Sequence, residues 1–441
     1  MLIDRTLDDW LDHISSVHPY EIELGLERIG LVANRLDISR PAPNVVSVAG
    51  TNGKGSCVAF MEGVLEHAGY RIGVFSSPHI HHFNERIRIG GAEASDSDIC
   101  RAFAAIDAAR KEISLSYFEY ATIAALYLFQ SAELDCVLLE VGLGGRLDAV
   151  NLIDADVAII SSISLDHEDW LGSDLEIIGQ EKAGIMRAKI PVIIGDHNPP
   201  RSLRIRAKEL GARAFFIDQD FNIDVAADQS NWNWLGSQDV GQIVGKNNLP
   251  MPKLALSNVA TAMQALHQLP LKLKREDYVY ALINTSLAGR FEERRDSRTG
   301  KKVVFDVAHN PAAAQLLCQN LLEYRFQNPE IERIAAVIAV MADKDIEAMA
   351  IALESCLDIW YIAQVDEVRG LSVGEAYRRI SEAVGGCSSR DKLGRNITEH
   401  KSVQMAYDSA CDACSEADLV VVTGSFFTVA AVRLLTEELV H

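Results

Sequence analysis

A glycine-rich segment that follows an apolar run and precedes a helical pattern constrains the fold of this chain more than any other feature. The segment reads AGTNGKGS over residues 49–56, after the β-branched run NVVSV of residues 44–48. Apolar residues then recur at helical spacing over residues 57–68, and Gly69 supplies a helix stop. Glycines let a backbone turn so that its N–H groups face phosphate oxygens, and a helix N-terminus adds partial positive charge. The sequence therefore predicts a phosphate-binding loop between a strand and a helix.

The loop is a variant of the common pattern G-x-x-x-x-G-K-[ST]. Val48 stands where that pattern has its first glycine, and Gly55 separates Lys54 from Ser56. Lys54 can reach the terminal phosphates of a nucleotide, and the Ser56 hydroxyl is a candidate ligand for Mg²⁺. The residues that we expect to bind the nucleotide are Thr51, Asn52, Gly53, Lys54, Gly55 and Ser56. A glycine-rich turn with no nucleotide role is the alternative on these residues alone.

The composition narrows the class of protein and its partners. With 441 residues, 48% of them hydrophobic and 24% charged, the chain resembles an ordinary globular protein of two or three domains. The formal net charge of −20 argues against nonspecific binding of nucleic acid or of an anionic membrane, since both rely on basic residues. The N-terminal residues form no apolar signal segment, and no stretch approaches the ~20 apolar residues of a membrane span. We therefore expect a cytoplasmic protein with no nucleic-acid partner and no membrane partner.

Cysteine and histidine clusters offer two weaker hypotheses. Cys411 and Cys414 have the spacing of half a zinc site or of a redox dithiol, but they lie in a helix-like run, which favours core packing. His79, His81 and His82 lie in an expected loop without ligand spacing on a regular element, which favours a surface loop over a metal site. Eight cysteines in so long a chain do not form a disulfide framework.

Apolar strands alternate with helical stretches in two parts of the chain, which is typical of parallel sheets covered by helices. The first part predicts strands at residues 44–48, 71–77, 136–141, 156–163 and 191–195. Residues 214–256 mix polar and apolar positions and predict antiparallel hairpins, followed by a helix over 257–269. The second part predicts strands at residues 303–308, 333–341, 356–364 and 419–424, with Asn310 and Pro311 opening a helix. We expect an α/β protein with one domain over residues 1–288 and a second over 289–441.

Polar residues stand where several of these strands end. Ser76 and Ser77 end one strand, Glu140 nearly ends the next, and Asp166 and His167 follow a third. The carboxyl ends of parallel strands share one edge of a sheet, and ligands bind there. A hydroxyl, a carboxylate and an imidazole beside a nucleotide form a plausible Mg²⁺ site, with the imidazole as the unusual member. Taken singly, Glu140 could be a capping or ion-paired acid and His167 a structural histidine.

Eight motifs, in order along the chain, match one family. They are AGTNGKGS (49–56), SSPHIHHFNERIRI (76–89), SYFEY (116–120), LLEVGLGGRLDAVN (138–151), SLDHEDWLG (164–172), EKAGI (181–185), GRF (289–291) and FDVAHNP (305–311). With them the chain closely resembles the dihydrofolate synthase/folylpolyglutamate synthase family, relatives of the Mur peptide ligases. The resemblance implies a Mur ligase-like P-loop ATPase domain with a parallel sheet, plus a smaller Rossmann-like C-terminal α/β domain.

The resemblance also implies ATP-dependent amide bond formation. A substrate carboxylate would take the γ-phosphoryl group, and the amine of L-glutamate would displace phosphate from the acyl phosphate. By family likeness Ser77, Glu140 and His167 are the Mg²⁺ ligands, and Lys54, His167 and Lys182 are the catalytic residues. Lys182 matches a lysine that is carbamylated in relatives, and its alternative is a plain ion pair with Glu181. A monovalent cation as an additional cofactor stays open.

Residues of the second part match family positions that bind ATP and glutamate. Asn258, Arg290 and Asp306 correspond to nucleotide-binding residues, and His309 is expected close to the glutamate. The resemblance implies that the C-terminal domain closes over the nucleotide. Glu292 departs from the family, in which this position is usually glutamine, and so the polar contacts there are open.

Three segments correspond to pterin-binding positions of the family. They are Ile22, Glu23 and Leu24; Ser116, Tyr117, Phe118 and Glu119; and Leu147, Asp148 and Ala149. Aromatic and aliphatic side chains can stack on a pterin, and a carboxylate can accept its N–H donors, whereas core packing is the alternative for Tyr117 and Phe118. The first segment favours a bifunctional enzyme that acts on dihydropteroate and on reduced folates. A monofunctional folylpolyglutamate synthase, a Mur-type ligase and a P-loop NTPase switch are the alternatives, and relatives suggest a monomer.

Overall fold

Two separate main sheets carry the apolar runs of the sequence, one in each of two units of the chain. The computed structural model describes residues 5–18, 23–238, 243–385 and 397–438. Unit 1 comprises Met1–Ser164 and Glu168–Thr285, and unit 2 comprises Leu165–His167 and Ser286–His441. The three residues Leu165–His167 thus belong to unit 2 although both neighbouring segments belong to unit 1.

The main sheet of unit 1 has eight strands, six of which run parallel. They are β1 (Asn44–Ala49), β2 (Ile72–Phe75), β3 (Ile87–Ile89), β4 (Ala92–Glu93), β5 (Cys136–Glu140), β6 (Val157–Ile160), β7 (Pro191–Ile194) and β8 (Arg213–Phe216). Their order is β4-β3-β2-β5-β1-β6-β7-β8, so β1 lies between β5 and β6. Every residue of β1, β5, β6 and β7 is buried, because helices cover both faces of a parallel sheet and leave no polar side to alternate.

Ten helices of unit 1 are described: α1 (Leu7–Val17), α2 (Glu27–Arg35), α3 (Lys54–His67), α4 (Asp96–Arg110), α5 (Tyr117–Phe129), α6 (Glu168–Leu171), α7 (Leu175–Lys182), α8 (Arg201–Leu210), α9 (Leu256–His267) and α10 (Arg275–Asn284). Helix α3 begins three residues before the predicted start at residue 57. The reason is that Gly53 caps it in a left-handed conformation, with φ at +88°, so Lys54 already has helical geometry. Helix α5 begins with the capping box that Ser116 and Glu119 form.

The segment predicted as hairpins divides between two sheets. Strands β9 (Asn222–Val225), β10 (Asn231–Ser237) and β11 (Ile243–Pro250) form an antiparallel sheet, as expected. Strand β8 does not belong to it, because Phe215 and Phe216 lie in register with Ile193 and Ile194 of β7 and extend the parallel sheet. The prediction of hairpins from residue 214 onwards was therefore wrong for this first strand.

The sheet of unit 2 has seven strands: β12 (Glu292–Asp296), β13 (Lys302–Asp306), β14 (Arg333–Ile338), β15 (Ile359–Ile362), β16 (Ile397–Glu399), β17 (Asp418–Thr423) and β18 (Thr436–Glu438). Their order is β16-β15-β14-β17-β13-β12-β18, and the first five run parallel. The described helices are α11 (Pro311–Gln327), α12 (Ile346–Leu353), α13 (Val373–Gly385), α14 (Val403–Ala413) and α15 (Phe426–Arg433). Asn310 caps α11 and Pro311 opens it, as predicted. The expected α/β class is confirmed in both units.

Two further expectations concern the helices. Cys411 lies in α14 and Cys414 caps its end, and both are buried free thiols whose pKa values are raised by burial. This packing agrees with a structural role for the pair. Across the described residues, no helix combines the length and apolar character needed to cross a membrane.

Candidate functional site

The predicted phosphate loop lies between the carboxyl end of β1 and the start of α3. A Cβ atom on Gly53 would lie 2.3 Å from Oδ1 of Asn258, so glycine is required both for the turn and for this close approach. Asn258 lies about 200 residues downstream of the loop, and the family resemblance matched it to a nucleotide-binding position. This residue therefore touches the loop. Its carbonyl oxygen also accepts the Cys57 thiol at 3.4 Å. The structure thus brings Asn258 together with the loop residues.

A short polar segment after β6 holds the loop in place. This serine segment (residues 161–164) accepts the backbone N–H of Thr51 at the Ser162 carbonyl, at 2.7 Å, and that of Asn52 at the Ser162 hydroxyl, at 3.2 Å. In return, the Ser161 hydroxyl donates to the Asn52 carbonyl oxygen at 2.6 Å. The predicted strand over residues 156–163 ends earlier, at Ile160, because these serines turn towards the loop. Sequence reasoning missed this role, since serines after a strand carry no specific signal.

Two lysines converge on the first turn of the loop. Nζ of Lys54 donates to the carbonyl oxygens of Gly50 and Thr51, each at 3.1 Å. Nζ of Lys182, a residue only 4% exposed at the end of α7, donates to the same Gly50 oxygen at 2.9 Å. Glu181, the neighbour of Lys182, pairs with Arg146 at 2.8 Å. The sequence placed both lysines near the phosphates, and the structure adds their shared acceptor.

Ser77 and Glu140, two of the predicted metal ligands, lie together at the carboxyl ends of neighbouring strands. Oε2 of Glu140, the last residue of β5, accepts the backbone N–H of Ser77 at 3.2 Å, and Glu140 is only 4% exposed. Within the described residues no three His, Cys, Asp or Glu side chains converge as a metal-binding group. A hydroxyl and one carboxylate nevertheless fit Mg²⁺, which commonly takes one or two carboxylates together with water and substrate phosphates.

His167, the third predicted ligand, belongs to unit 2 and has a left-handed backbone with φ at 52°. This conformation is uncommon outside glycine and marks a position whose geometry the surrounding structure enforces. The backbone N–H of His167 donates to the carboxylate of Asp166 at 2.9 Å.

Asp166 organises a buried polar network in unit 2. Its carboxylate accepts Nζ of Lys344 at 2.7 Å and Nδ2 of Asn310 at 3.0 Å, and lies 3.3 Å from Nε2 of His309. Burial disfavours its charge, but His309, His167 and Lys344 outweigh this and hold the pKa of Asp166 well below its usual range. The sequence placed Asp166 near a strand end without a role and missed Lys344. The signal for Lys344 is weak, because it lies in a loop without a motif that the analysis used.

His309, the predicted glutamate-binding residue, is fixed at both ring nitrogens. Nδ1 lies 2.8 Å from the Val307 carbonyl oxygen and Nε2 faces Asp166. The loop that follows β13 therefore presents His309 in one orientation.

Arg290 and Asp306, the predicted nucleotide residues of unit 2, lie near each other at the end of β13. The Asp306 carboxylate accepts the backbone N–H groups of Phe291 and Ala308, each at 2.9 Å. Burial raises the pKa of Asp306, and the charge of Arg290 opposes that rise. The Arg290 guanidinium lies over the ring of Phe426, 5.2 Å from its centroid. This ring holds the guanidinium at the edge of the sheet.

Glu292, which stands where the family usually has glutamine, forms ion pairs with two arginines. Its carboxylate pairs with Arg433 at 2.8 Å and Arg294 at 3.0 Å and accepts the Gly289 N–H at 2.9 Å. Burial opposes its ionisation, but these donors outweigh burial and lower the pKa of Glu292. A glutamate here therefore fixes the turn that precedes Arg290, through contacts that a neutral glutamine would make more weakly.

The predicted pterin segments meet in unit 1, except that Ile22 lies outside the described residues. The backbone N–H of Gly25, next to Leu24, donates to the Leu147 carbonyl oxygen at 3.1 Å. The Phe118 ring packs against Phe75 at 5.7 Å between centroids, and a Cβ on Gly142 would lie 2.6 Å from its Cζ atom. Phe118 therefore packs against Phe75 and also lies close to Gly142, in the segment that leads to Leu147 and Asp148.

Asp148 and Glu119 both accept hydrogen bonds from nearby backbone N–H groups. Asp148 is 2% exposed, and its oxygens accept the N–H groups of Gly142, Leu143 and Val150 at 2.9–3.1 Å. Burial raises the pKa of Asp148 to about 6 despite these donors.

Glu119, also 2% exposed, accepts the Ser116 N–H at 2.7 Å and pairs with Arg28 at 3.1 Å. Exposed Glu23 contacts the same Arg28 and lies 2.8 Å from Nε2 of His18. These contacts hold Glu23, Glu119 and Asp148 in fixed positions, while buried Ala149 opens the 3₁₀ turn that Asp148 caps.

Comparison with protein families matches both parts of the chain. A model described as the Mur ligase middle domain matches residues 48–265, and one described as the Mur ligase, glutamate ligase domain, matches residues 289–426. The expected Mur ligase-like fold with a C-terminal α/β domain is thereby confirmed.

Individual proteins are similar over nearly the whole length. The chain is 41% identical to the dihydrofolate synthase/folylpolyglutamate synthase of Escherichia coli, covering 98% of this chain and 97% of that protein. A solved structure of E. coli FolC in complex with DHPP and ADP superposes with a TM-score of 0.88 at 41% identity, covering 98% of each chain. A Yersinia pestis bifunctional folylpolyglutamate synthase/dihydrofolate synthase with Mn, AMPPNP and L-glutamate bound superposes with a TM-score of 0.86 at 40% identity, again covering 98% of each.

Proposed function

The chain belongs to the dihydrofolate synthase/folylpolyglutamate synthase family, and from this premise we propose that it is an ATP-dependent ligase that adds L-glutamate to dihydropteroate and to reduced folates. The observation that carries the proposal is the convergence of Lys54 and Lys182 on Gly50 inside a glycine-rich loop. Two cations at a glycine-rich turn that leads into a helix N-terminus form a site for a polyphosphate. The residues at the neighbouring strand ends supply oxygen donors for a divalent cation.

The chemistry follows from the low reactivity of a carboxylate towards an amine. The acceptor carboxylate attacks the γ-phosphorus of ATP, ADP leaves, and an acyl phosphate forms. The amine of glutamate then attacks the acyl carbon, phosphate leaves and the amine loses a proton, which gives the amide. Lys54 and the loop N–H groups hold the phosphates in line and neutralise their charge. A divalent cation, when bound, neutralises charge on the transferred phosphoryl group.

Residue roles within this proposal follow the resemblance and the contacts. Ser77, Glu140 and His167 would hold Mg²⁺, and a carbamate on Lys182 would add an anion at the loop. Asn258 beside Gly53, together with Arg290 and Asp306, would bind ATP, and His309 would bind glutamate. The segments around Leu24, Tyr117 and Asp148, tied together by the Gly25–Leu147 hydrogen bond, would bind the pterin.

The organisation of the protein forms part of the proposal. A P-loop domain over residues 1–288 and a C-terminal domain over 289–441 are supported by the two family matches, which leave residues 266–288 between them. The net charge of −20 supports the absence of nucleic-acid and membrane partners, and we propose a cytoplasmic monomer.

A product assay with purified protein, ATP, Mg²⁺ and glutamate tests the function, with dihydropteroate and a reduced folate monoglutamate as separate acceptors. The bifunctional enzyme forms dihydrofolate from the first and a diglutamate from the second. Turnover of the folate alone would replace this proposal with a monofunctional folylpolyglutamate synthase. ATP hydrolysis that needs neither acceptor nor glutamate would instead support an NTPase switch.

A further inference from the structure

Arg86 is a buried cation that forms no ion pair with a described residue, although Glu140 and Glu85 attract it from a greater distance. It ends the 3₁₀ turn Phe83–Arg86 and is 9% exposed. Its Nε donates to Nδ1 of His79 at 2.8 Å, and its guanidinium lies over the rings of Tyr117 and Phe83, 5.5 and 5.8 Å from their centroids. Among the described residues no carboxylate lies within ion-pair distance of it.

The nearby carboxylates are engaged elsewhere. Glu85 accepts the N–H groups of Ile80, His81 and His82 at 2.7–2.8 Å, and Glu140 accepts that of Ser77. Arg88, a partly buried arginine two residues further on, has a carboxylate partner, because both its Nε and Nη2 donate to Glu62. A buried charge that lacks such a partner raises the free energy of the folded protein. Binding of an anion would remove this cost.

The position of Arg86 indicates which anion. Its carbonyl oxygen accepts the Ser76 N–H at 3.0 Å, which ties it to the strand end where Ser77 meets Glu140. Its guanidinium lies on Tyr117, at the start of a segment assigned above to the pterin. Arg86 therefore lies between the residues assigned to the metal and those assigned to the pterin. The carboxylate of a pterin acid must occupy this interval, because it reacts with the phosphate next to the metal.

We propose that Arg86 is a substrate-binding residue whose guanidinium binds the reactive carboxylate of the acceptor. The inference rests on the proposed function and assigns the recognition of one substrate group to one residue. The stacked rings fix the guanidinium plane, so the terminal nitrogens can donate to carboxylate oxygens. Glu119 is paired with Arg28 and Asp148 with backbone N–H groups, so neither of these carboxylates pairs with Arg86.

Binding of dihydropteroate and of its carboxamide, which lacks the charge, tests the inference without turnover. We expect the wild-type protein to bind the acid more tightly than the amide by about 10- to 150-fold, the range of a charge-assisted hydrogen bond. In Arg86→Gln this ratio falls to near one, because the acid alone loses affinity. Arg86→Lys retains part of the preference, and it serves as the test if Arg86→Gln does not fold.

Arg110→Gln is the matched control, because Arg110 is a partly buried arginine that has a carboxylate partner, Asp107 at 2.7 Å. It should leave the acid-to-amide ratio unchanged even if it lowers stability. A folded Arg86→Gln protein that keeps the wild-type ratio would overturn the role of Arg86 while wild-type ligation leaves the proposed function intact. Absence of wild-type ligation with either acceptor would overturn the function itself, and the two failures are therefore distinct.

Discussion

The ammonium groups of Lys54 and Lys182 donate to one carbonyl oxygen, that of Gly50, at 3.1 and 2.9 Å. Two ammonium groups that contact the same oxygen atom repel each other, and burial of Lys182 strengthens the repulsion. A negative group that joins the two ammonium groups reduces this repulsion. A nucleotide phosphate supplies one such group, and conversion of one ammonium to an anionic carbamate supplies another.

We expect Lys182 to be carbamylated in the active enzyme, because the modification replaces the repulsion with an attraction to Lys54. NMR with isotopically labelled bicarbonate should show a carbamate carbon in wild type that is absent in Lys182→Ala. The variant should lose about 10- to 100-fold in kcat, as when a group that orients a metal site is removed, and acetate should restore part of the loss. A turnover-competent complex with an unmodified Lys182 amine would contradict this expectation.

Lys54→Ala should reduce kcat by about 100- to 1000-fold, the effect of removing one group that stabilises transition-state charge. The fold should persist, because the loop is held by the serine segment and by Gly53 rather than by this side chain. Ligation rate and thermal denaturation check both parts. Lys208→Ala, on the exposed face of α8, is the control and should leave both unchanged.

Glu292→Gln should lower the free energy of unfolding by about 2 to 3 kcal/mol, because hydrogen bonds to charged groups contribute on this scale. The substitution restores the residue usual in the family but removes the negative charge that pairs with Arg294 and Arg433. Denaturant unfolding measures the change. Glu375→Gln, which breaks an exposed i,i+3 pair with Arg378, should lower the free energy of unfolding far less. Equal effects of the two substitutions would refute the importance of the Glu292 pairs.

Asp148 should give stability a distinct pH dependence. Its folded pKa of about 6 lies above the ordinary aspartate value of 3.8, so the folded chain holds this proton more tightly than the unfolded chain. Relative to Asp148→Asn, wild type should therefore lose stability as pH rises from about 4 to about 6, by up to about 3 kcal/mol, and stay level above that. Denaturant unfolding of both proteins across this range tests the sign. A stability difference that does not vary with pH would show that Asp148 is not perturbed.

The sheets could be predicted from the sequence because their strands are buried on both faces. Runs such as those of β1 and β5 are apolar throughout, so no other element competes with a buried strand. The predicted ends of the strands were less accurate than their positions. Ser76, Ser77 and Ser161 were assigned to strands but lie beyond them. Ser76 donates to Arg86 in a 3₁₀ turn and Ser77 to the Glu140 side chain, while the Ser161 hydroxyl donates to the loop although its N–H still donates to Ala49 of β1.

The sequence indicated local geometry where a motif fixes it, but it did not indicate contacts between distant residues. The turn at Gly53 follows from its neighbours in sequence, whereas the contact of Asn258 with that turn came only through the family resemblance. Nothing local indicates that Lys344 would pair with Asp166, 178 positions earlier. Arg86 is similar, because a missing partner is visible only when all its neighbours are placed.

The assignment of Leu165–His167 to unit 2 means that the C-terminal part is not a contiguous module. A fragment starting at residue 286 would carry Asn310 and Lys344 but not the carboxylate that both contact. Truncation or fusion of the gene between residues 285 and 286 alone would therefore separate the Asp166 carboxylate from Asn310 and Lys344, which donate to it. Recombination between relatives is constrained in the same way, because residue 166 and the loops at 309–310 and 344 must be inherited together.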